Sequence, residues 1–498
     1  MNLKAVVIRN IFVRWGVYGI AGVISFFMLP FVIRYVGDSY YGIWILINSL
    51  TGYLGLLDFG IGTSVVKYVS QFHSQAEKNN LEKIINSVLF LYALIGLVCL
   101  LITFLFVIFI PRFFTVDSMS VSTIRLLVLL VGLQVSLSFP FGVFGGVLKG
   151  YHKYDIDSYI SIVVIGLRTF FIVLFLRMGY GIVMLAIISL LSSFVGHFLR
   201  LLFGMRYLRE IRIRITLLTK ECFHMIFKYS FLVFISGISK RIVRYTDSII
   251  IGLFMPASAI TYYLIGWRLL EYIREFVLLM TNTFIPVASH YSADESPERN
   301  HKLLLEGSKL SWIIILFFGG ILITKGSDVI RLWVGVKYVA VAYPILVIHT
   351  ISDFFAIPQF TAGSILYGIA KHKIVAIFSL IRALANLILS LILINYFGLI
   401  GVALGTAIPS IIINTFFMPF FACKYLQLSV GKYLKNVFFL PLIGAVPFFI
   451  YCFYISNNIV NNLFELLLVV IMGFIVFFIG IYFVNYNKLL FKKNVNEA

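Results

Sequence analysis

The stretch Lys228–Met255, KYSFLVFISGISKRIVRYTDSIIIGLFM, has the length of a membrane span but carries charges at its centre. About 20 predominantly apolar residues cross a bilayer as a helix, so the stretch predicts a transmembrane helix. Its middle nevertheless contains Lys240, Arg241, Arg244 and Asp247. A basic residue near the bilayer centre costs about 2.5–3.5 kcal/mol on insertion scales, and such residues normally face a protein interior or a watery cavity. The stretch therefore indicates a chain that handles an anion inside the membrane.

The spacing of these charges groups three of them on the predicted helix. At 100° per residue, Lys240, Arg244 and Asp247 fall within about 60° of one another. Arg241 lies about 100° further round. Lys240 and Arg244, the two cations that share this face, can therefore act on one ligand.

The following span adds charges of both signs. Arg268, Glu271 and Glu275 share a helical face, while Arg274 points elsewhere. Over both spans five cations face three carboxylates. Buried ion pairs that only fix helix register would explain part of this pattern. Because positive charge is in excess, we favour the alternative, that these residues line a cavity for an anion.

The composition is that of a polytopic helical membrane protein. Of 498 residues, 61% are hydrophobic and only 12% are charged. The net charge of +20 comes from cations in short loops between apolar runs, which is the pattern that sets membrane topology rather than nucleic-acid binding. The four cysteines and eight histidines show no metal-binding spacing, so we expect no metal and no cofactor.

Apolar runs predict fourteen membrane spans with short loops between them. They are 13–36, 41–69, 84–110, 121–148, 157–177, 181–204, 227–255, 258–289, 307–325, 338–366, 372–396, 398–422, 436–456 and 462–485. Segment 325–338 is less apolar and is predicted to be amphipathic, at the membrane interface. Lys and Arg concentrate in the loops on the side of both termini, which the positive-inside rule places in the cytoplasm.

Two weak similarities about 220 residues apart indicate an internal repeat. GYGIVMLAIISLLSS from Gly179 resembles FGLIGVALGTAIPS from Phe397, and YVSQFHS ending at Ser74 resembles VASHYSA ending at Ala293. Repeated halves around a midplane site are typical of secondary transporters. The predicted domains are an N-terminal six-helix bundle at 1–205, a cytoplasmic linker at 206–226, a C-terminal six-helix bundle at 227–425, and two extra spans with a cytoplasmic tail at 426–498.

Other polar residues lie inside apolar spans. Asp58 either binds a cation or proton, or pairs with Arg14 or Arg34 of the first span, and we favour the pairing. Arg200 lies near a span end and is predicted to snorkel. Arg168, Asp353 and Arg382 are further polar residues in apolar spans. Arg168 and Arg382 lie deeper in their spans than Arg200 and are predicted to face the cavity.

Four motifs resemble one family of membrane proteins. They are YGIW…LLDFGIGTSVVKYVS, VLKGYHKYD, YTDSIIIGLFMPASAITYY and FGLIGVALGTAI. In combination they resemble the bacterial polysaccharide-export proteins of the multidrug/oligosaccharidyl-lipid/polysaccharide superfamily, most closely the Wzx-type O-antigen flippases. The resemblance implies two six-helix bundles, similar to those of MATE transporters, around a V-shaped cavity that works by alternating access. It also makes Asp247, within DSIIIG, a structural or pairing residue rather than a free ion site.

The resemblance also implies a substrate, a location and partners. The substrate would be an undecaprenyl-diphosphate-linked oligosaccharide, moved from the cytoplasmic to the outer leaflet of the bacterial inner membrane. A polymerase and a chain-length regulator of the same polysaccharide pathway would be partners, as would membrane lipid. The predicted diphosphate-binding residues are Lys240, Arg241, Arg244 and Arg268. The predicted cavity or ion-coupling residues are Asp58, Arg168, Asp247, Glu271, Asp353 and Arg382. Whether the coupling ion is H⁺ or Na⁺ stays open.

Two other functions compete with this interpretation. A multidrug exporter of the same superfamily would line its cavity with acidic residues, because such proteins usually expel cations, whereas this cavity is predicted to be basic. A membrane-embedded polymerase or ligase would need a large outward loop that bears catalytic residues. The outward loops here are short. We therefore expect a transporter and not an enzyme.

Overall fold

The computed structural model describes residues 3–113, 119–208, 212, 214, 217–294, 297–456 and 459–496. Within these ranges every regular element is a helix and none is a strand. The predicted all-α membrane class is therefore confirmed. The physical reason is that a backbone in hydrocarbon must satisfy its own N–H and C=O groups, which a helix does within one segment.

The helices divide into two compact units, Met1–Thr261 and Tyr262–Ala498, here called unit 1 and unit 2. The helices of unit 1 are α1 (Leu3–Val36), α2 (Asp38–Leu54), α3 (Ile61–Ser74), α4 (Lys78–Phe113), α5 (Val121–Gly150), α6 (Tyr154–Arg177), α7 (Ile182–Tyr207) and α8 (Lys220–Phe254). Helix α9 (Ala257–Asn282) begins in unit 1 and continues into unit 2. The further helices of unit 2 are α10 (Phe284–Ala293), α11 (Pro297–Trp333), α12 (Val339–Ala356), α13 (Gln359–Gly368), α14 (His372–Ile412), α15 (Met418–Tyr425), α16 (Val430–Leu434), α17 (Leu440–Ser456) and α18 (Leu463–Asn496).

The core of unit 1 lies where α3 and α4 meet α5. Val65, Val69 and Val147 are each almost fully buried in one apolar cluster there. Helix α5 also packs against α7, and α6 packs against both α1 and α7. Helix α8, which carries the predicted cationic face, packs against α2 and α3.

Unit 2 is organised around α11, which packs against α12 and α17. Phe317, Phe448 and Phe477 contact one another where α11, α17 and α18 meet. Helix α11 also contains Lys325, which is fully buried and pairs with Asp328 at 3.5 Å. Helix α11 continues through the first part of segment 325–338 to Trp333, and the interfacial position of this segment stays a prediction.

In the part of the chain that the structure describes, ten helical segments are long and apolar enough to cross a membrane, or eleven with the bent pair α2–α3. Helices α8 and α9 have membrane-spanning length as well but carry the charged residues discussed above. The long segment 372–425 is interrupted at Gly398, whose φ of 56° and ψ of −132° are not helical. This interruption confirms the predicted boundary between spans 372–396 and 398–422. The total of fourteen spans stays a prediction.

Equivalent turns follow two helices in the two units, about 220 residues apart. His152 after α5 and Ala370 after α13 both have a φ of 59°. The backbone N–H of Lys153 donates to the Leu148 carbonyl at 2.8 Å, and that of Lys371 donates to the Leu366 carbonyl at 2.8 Å. These turns agree with an internal repeat. The two compact units divide after Thr261. This division does not test the predicted bundle boundaries at 205, 226 and 425, which stay a prediction.

Gly42 lets α2 approach the start of α9 within unit 1. A Cβ at Gly42 would lie 1.8 Å from the carbonyl oxygen of Ala257, a backbone atom that cannot turn away. We predict that Gly42→Ala lowers the stability of the purified protein by about 1–3 kcal/mol, as overpacking typically does. Gly166→Ala is the matched control, since no atom lies within 4 Å of a Cβ at that position. Thermal unfolding in detergent measures both, and equal melting temperatures would contradict the packing described.

Candidate functional site

Unit 1 contains a cavity of about 680 Å³ with a basic lining. Its wall is formed by α3, α5, α6, α7 and α8 and includes three cations, one carboxylate and one histidine. These are Lys67, Lys149, Arg200, Asp157 and His197. The cations outnumber the carboxylate, so the cavity favours an anion.

Asp157 joins two of the cations across the cavity wall. Its Oδ1 accepts a hydrogen bond from Arg200 Nε at 2.7 Å, and its Oδ2 lies 3.3 Å from Lys149 Nζ. The carboxylate is mostly buried, with 16% of its side chain exposed, whereas Lys149 is 40% exposed. The network ties the end of α5 to the start of α6 and the end of α7.

Arg200 reaches the cavity through space left by a glycine. A Cβ at Gly145 would lie 3.4 Å from Arg200 Cδ. The Arg200 Nη2 also donates to the Ser161 hydroxyl at 3.0 Å. The head group of Arg200 is thus held by Asp157 and Ser161, and its predicted snorkelling to the interface stays a prediction. An Arg has five N–H donors in a planar fork, so further acceptors can bind beside these two.

Lys67 is the third cation and lies on α3. Its Nζ is 4.1 Å from the ring centroid of Tyr229 and 4.7 Å from that of Tyr68. The side chain is exposed, and the contacts of its ammonium group described here are with these two tyrosine rings. Lys67 therefore adds positive charge that Asp157 does not neutralise.

The repeat does not explain the charges of this cavity. The offset that superimposes the turns after α5 and α13 carries Lys149 onto Tyr367, Asp157 onto Val375 and Arg200 onto Met418. These charges are therefore not shared by the two halves at this offset.

A second cavity, of about 700 Å³, lies in unit 2 and has a mixed lining. Two carboxylates and three lysines line it, and one pair, Lys302 and Glu306, lies 3.9 Å apart. Mixed charge at an exposed position gives it no marked preference for an anion.

The predicted diphosphate-binding residues of α8 differ in their surroundings. Lys240 and Arg244 are exposed on the helix. Arg241 is half-buried, and its Nη1 donates to the carbonyl of Gly52 at 2.7 Å, near the end of α2. The same carbonyl also accepts from the Gly55 N–H that caps α2, and a cation at a helix C-terminus interacts favourably with the helix dipole. Arg241 therefore has a structural role that the sequence did not reveal.

Asp247 is buried on the same helix. Its neighbour Thr246 shares a hydrogen bond of 2.6 Å with the hydroxyl of Tyr53 on α2. Together with the bond from Arg241 to Gly52, this contact fixes α8 against α2.

In unit 2, α9 contributes two arginines that have carboxylate partners. Arg268, the fourth predicted diphosphate residue, forms an ion pair with Glu271, and its guanidinium lies 5.4 Å from the ring centroid of Tyr272. Arg274 pairs with Asp353 of α12 at 3.0 Å. Asp353 is 1% exposed, so this pair is shielded from solvent.

Arg382 of α14 completes a buried charge cluster with this pair. It interacts electrostatically with both Arg274 and Asp353. Two cations therefore share one carboxylate. Arg274 of α9 therefore finds its carboxylate partner on α12, rather than among the charged residues of α8 and α9.

Asp58 and Arg168 are both engaged in hydrogen bonds within unit 1. Asp58 Oδ1 accepts from the Tyr92 hydroxyl at 2.5 Å and from the Gly62 N–H at 3.3 Å. The favoured pairing of Asp58 is with Arg14 or Arg34. The side chain of Arg14 lies outside the described residues, and Arg34 is exposed.

Arg168 of α6 binds α7 rather than the cavity described above. Its Nε donates to the Ser192 hydroxyl at 3.1 Å, and its Nη2 donates to the Ser193 hydroxyl at 3.0 Å. Serine hydroxyls between helices are a common way to hold polar groups in membranes.

Sequence reasoning missed Lys67, Lys149 and Asp157. Lys149 lies at a span end, where a cation has an ordinary explanation in setting topology. One signal could have found the cavity: the stretch GVFGGVLKG, 142–150, has glycines on the α5 face directly before Lys149. Small residues on a helix leave room beside it, and a charge at the edge of that room suggests a site. Among the residues that the structure describes, no three His, Cys, Asp or Glu side chains gather as metal ligands.

We predict that Arg241→Ala lowers stability by about 1.5–3 kcal/mol, the usual value of a hydrogen bond to a charged group. Lys240→Ala is the control on the same helix and should leave the melting temperature unchanged, since Lys240 is exposed. Unfolding of the two purified variants distinguishes them. Equal stability of Arg241→Ala and wild type would contradict a structural role for Arg241.

For the buried cluster, we predict that Asp353→Leu is more harmful than Arg274→Met. Removing one partner of a buried pair costs about 3–5 kcal/mol because the other charge is left uncompensated. Asp353→Leu leaves both Arg274 and Arg382, whereas Arg274→Met leaves Asp353 with Arg382. Melting temperatures and folded yields measure the difference. An equal or larger loss in Arg274→Met would show that Arg382 does not compensate.

Comparisons with known proteins agree on the family and the fold. A family described as polysaccharide biosynthesis protein matches residues 7–292. A Shigella flexneri protein named as a candidate O-antigen transporter is 22% identical over 412 residues, covering 80% of this chain and 94% of that protein. Its name agrees with our expectation that the chain is not an enzyme.

Two solved structures share the fold. The lipid II flippase MurJ in an inward closed conformation has a TM-score of 0.73 and 20% identity, covering 95% of this chain and 99% of MurJ. An inward-facing multidrug resistance MATE transporter of the MOP superfamily has a TM-score of 0.70 and 15% identity, covering 84% of this chain and 95% of that one. The predicted fold class is confirmed, and, since the family match spans more than half of the sequence, the chain belongs to the polysaccharide biosynthesis protein family.

Proposed function

We propose that the chain moves an undecaprenyl-diphosphate-linked oligosaccharide across the bacterial inner membrane, and that the cavity of unit 1 binds the diphosphate. The observation that carries this proposal is the surplus of positive charge around a cavity among apolar helices. A membrane protein keeps such charges where they act on a substrate or ion. An O-antigen or similar repeat unit is the proposed glycan, in agreement with the name of the Shigella relative.

The chemistry of a lipid-linked diphosphate fits the three cations. A diphosphate carries about two negative charges, and these must stay neutralised while the head group leaves water. Arg200 can bind phosphate oxygens with two parallel N–H bonds, and Lys149 and Lys67 act as point charges. Tyr229 and His197 add polar and ring surface for sugars next to the phosphates. The lipid tail can stay in the bilayer.

The predicted residues Lys240, Arg241, Arg244 and Arg268 have a second place in the proposal. Lys240 and Arg244 are exposed on α8 and remain proposed contacts for the diphosphate during its passage. Arg241 and Arg268 already bind Gly52 and Glu271, so their proposed contribution is the long-range field of their charge.

Alternating access, cytoplasmic termini and ion coupling complete the proposal. The positive-inside distribution supports cytoplasmic termini. Helix ends on that predicted side carry Lys149 and Arg200, so the cavity would receive substrate from the cytoplasmic leaflet. Proposed coupling residues are Asp58 and Asp353, with H⁺ or Na⁺ as the ion, and a polymerase and a chain-length regulator are proposed as partners.

A multidrug exporter is the second candidate, and the shared fold with a MATE transporter favours it. A cationic drug, however, would meet net positive charge in the cavity of unit 1. Like-charge repulsion in a low-dielectric site disfavours such a substrate. We therefore rank drug export below glycan export.

We predict that Lys67→Ala combined with Lys149→Ala lowers surface polysaccharide at least about tenfold in a strain that depends on this chain. The reason is the loss of two charge-assisted contacts to the diphosphate, each worth about 1.5–3 kcal/mol. Lys83→Ala, a cation of unit 1 outside the cavity lining, is the control. Immunoblots of membranes confirm equal abundance.

Normal polysaccharide in the double variant would contradict the assignment of this cavity. Drug sensitivity is measured in the same strains. If the double variant loses drug resistance while its polysaccharide is unchanged, the exporter function replaces the flippase function.

A further inference from the structure

We infer that Asp157 is an internal counter-ion that competes with the diphosphate for Lys149 and Arg200 and so allows the substrate to be released. This inference rests on the proposed function, because it names how that same cavity is regulated. It assigns Asp157 a role that differs from those of the cations: Asp157 weakens binding.

The geometry shows that Asp157 is already the counter-ion of two cations to which an anion would bind. Each carboxylate oxygen binds one cation: Oδ1 takes Arg200 Nε at 2.7 Å and Oδ2 takes Lys149 Nζ at 3.3 Å. A diphosphate between the same two cations would have to displace at least one of these contacts. The carboxylate and the phosphate would otherwise lie side by side with like charge.

Asp157 can release Arg200 without leaving it unsatisfied. The Arg200 Nη2 keeps its bond of 3.0 Å to the Ser161 hydroxyl, one turn further along α6. Ser161 is itself fixed, because its hydroxyl donates to the Asp157 backbone carbonyl at 2.8 Å. Arg200 therefore stays oriented toward the cavity when its acidic partner changes.

The turn between α5 and α6 does not by itself need the ion network. The turn after α13 has the same geometry, with Tyr367 and Val375 at the offsets of Lys149 and Asp157. Asp157 is also not needed to supply negative charge at the N-terminus of α6, because Asp155 already places a carboxylate in the first turn. Asp155 does not line the cavity.

A transporter benefits from such a competitor. Three cations without a counter-ion would bind a diphosphate tightly, and a site that carries ligand across a membrane must also let it leave. The fraction of protein in which Asp157 holds both cations cannot bind substrate, so the apparent affinity falls by the fraction that is competent. Asp157 and the phosphate therefore alternate as partners of Lys149 and Arg200. Asp157 pairs with them in the empty site and pairs with them again when the substrate is released.

The test compares two acidic residues of the same helix turn. Undecaprenyl diphosphate, without a glycan, is titrated into the full chain in detergent micelles, and bound lipid is counted by native mass spectrometry. Asp157→Asn should bind it at least about tenfold more tightly than wild type, and Asp155→Asn should bind it like wild type. In cells at equal abundance, Asp157→Asn should yield less surface polysaccharide than wild type despite its tighter binding, and Asp157→Glu should restore output.

Equal or weaker binding by Asp157→Asn, at an unchanged melting temperature, overturns the counter-ion role. If the Asn variant folds poorly, Asp157→Ser gives the same comparison with a smaller neutral side chain. Lys149→Ala separates the two proposals. If Lys149→Ala binds the lipid as wild type does, the cavity is not the diphosphate site and the proposed function fails with it. If Lys149→Ala binds more weakly but Asp157→Asn does not bind more tightly, only the counter-ion role fails.

Discussion

The cost of placing a charge in hydrocarbon determines much of this structure. A charged side chain inside a bilayer needs a partner within the protein. Arg168 has two serines, Arg274 has Asp353, and Lys325 has Asp328. In each case the partner lies on a neighbouring helix or on a nearby turn of the same helix, so the charge also fixes how the helices pack.

The cavity of unit 1 differs from these compensated sites. There Asp157 serves both Lys149 and Arg200, and Lys67 stands over aromatic rings instead of a carboxylate. A surplus of positive charge of this kind favours an anionic ligand over a cationic one. In the buried cluster of Arg274, Asp353 and Arg382, by contrast, one carboxylate interacts with two cations away from solvent.

The sequence was informative about helices and less so about which helices are neighbours. Composition and apolar runs predicted the class and a span boundary between residues 396 and 398, where the structure has a helix break at Gly398. Charges on α8 attracted attention because they are unusual within a span. The contacts of Arg241 with Gly52 and of Arg274 with Asp353 join residues far apart in sequence, which one helix's periodicity cannot reveal. Lys149 was overlooked because a cation at a span end has an ordinary topological explanation.

The central claim is that a lipid-linked diphosphate binds in the cavity of unit 1, and cross-linking tests it most directly. Membranes that contain the full chain are irradiated with undecaprenyl diphosphate bearing a photoreactive group next to the phosphates, and labelled peptides are identified by mass spectrometry. The account predicts labelling of α5 around 142–149 and of α7 around 197–200, reduced by excess unlabelled lipid. Competable labelling confined to other helices, including α8 around Lys240 and Arg244, would contradict it.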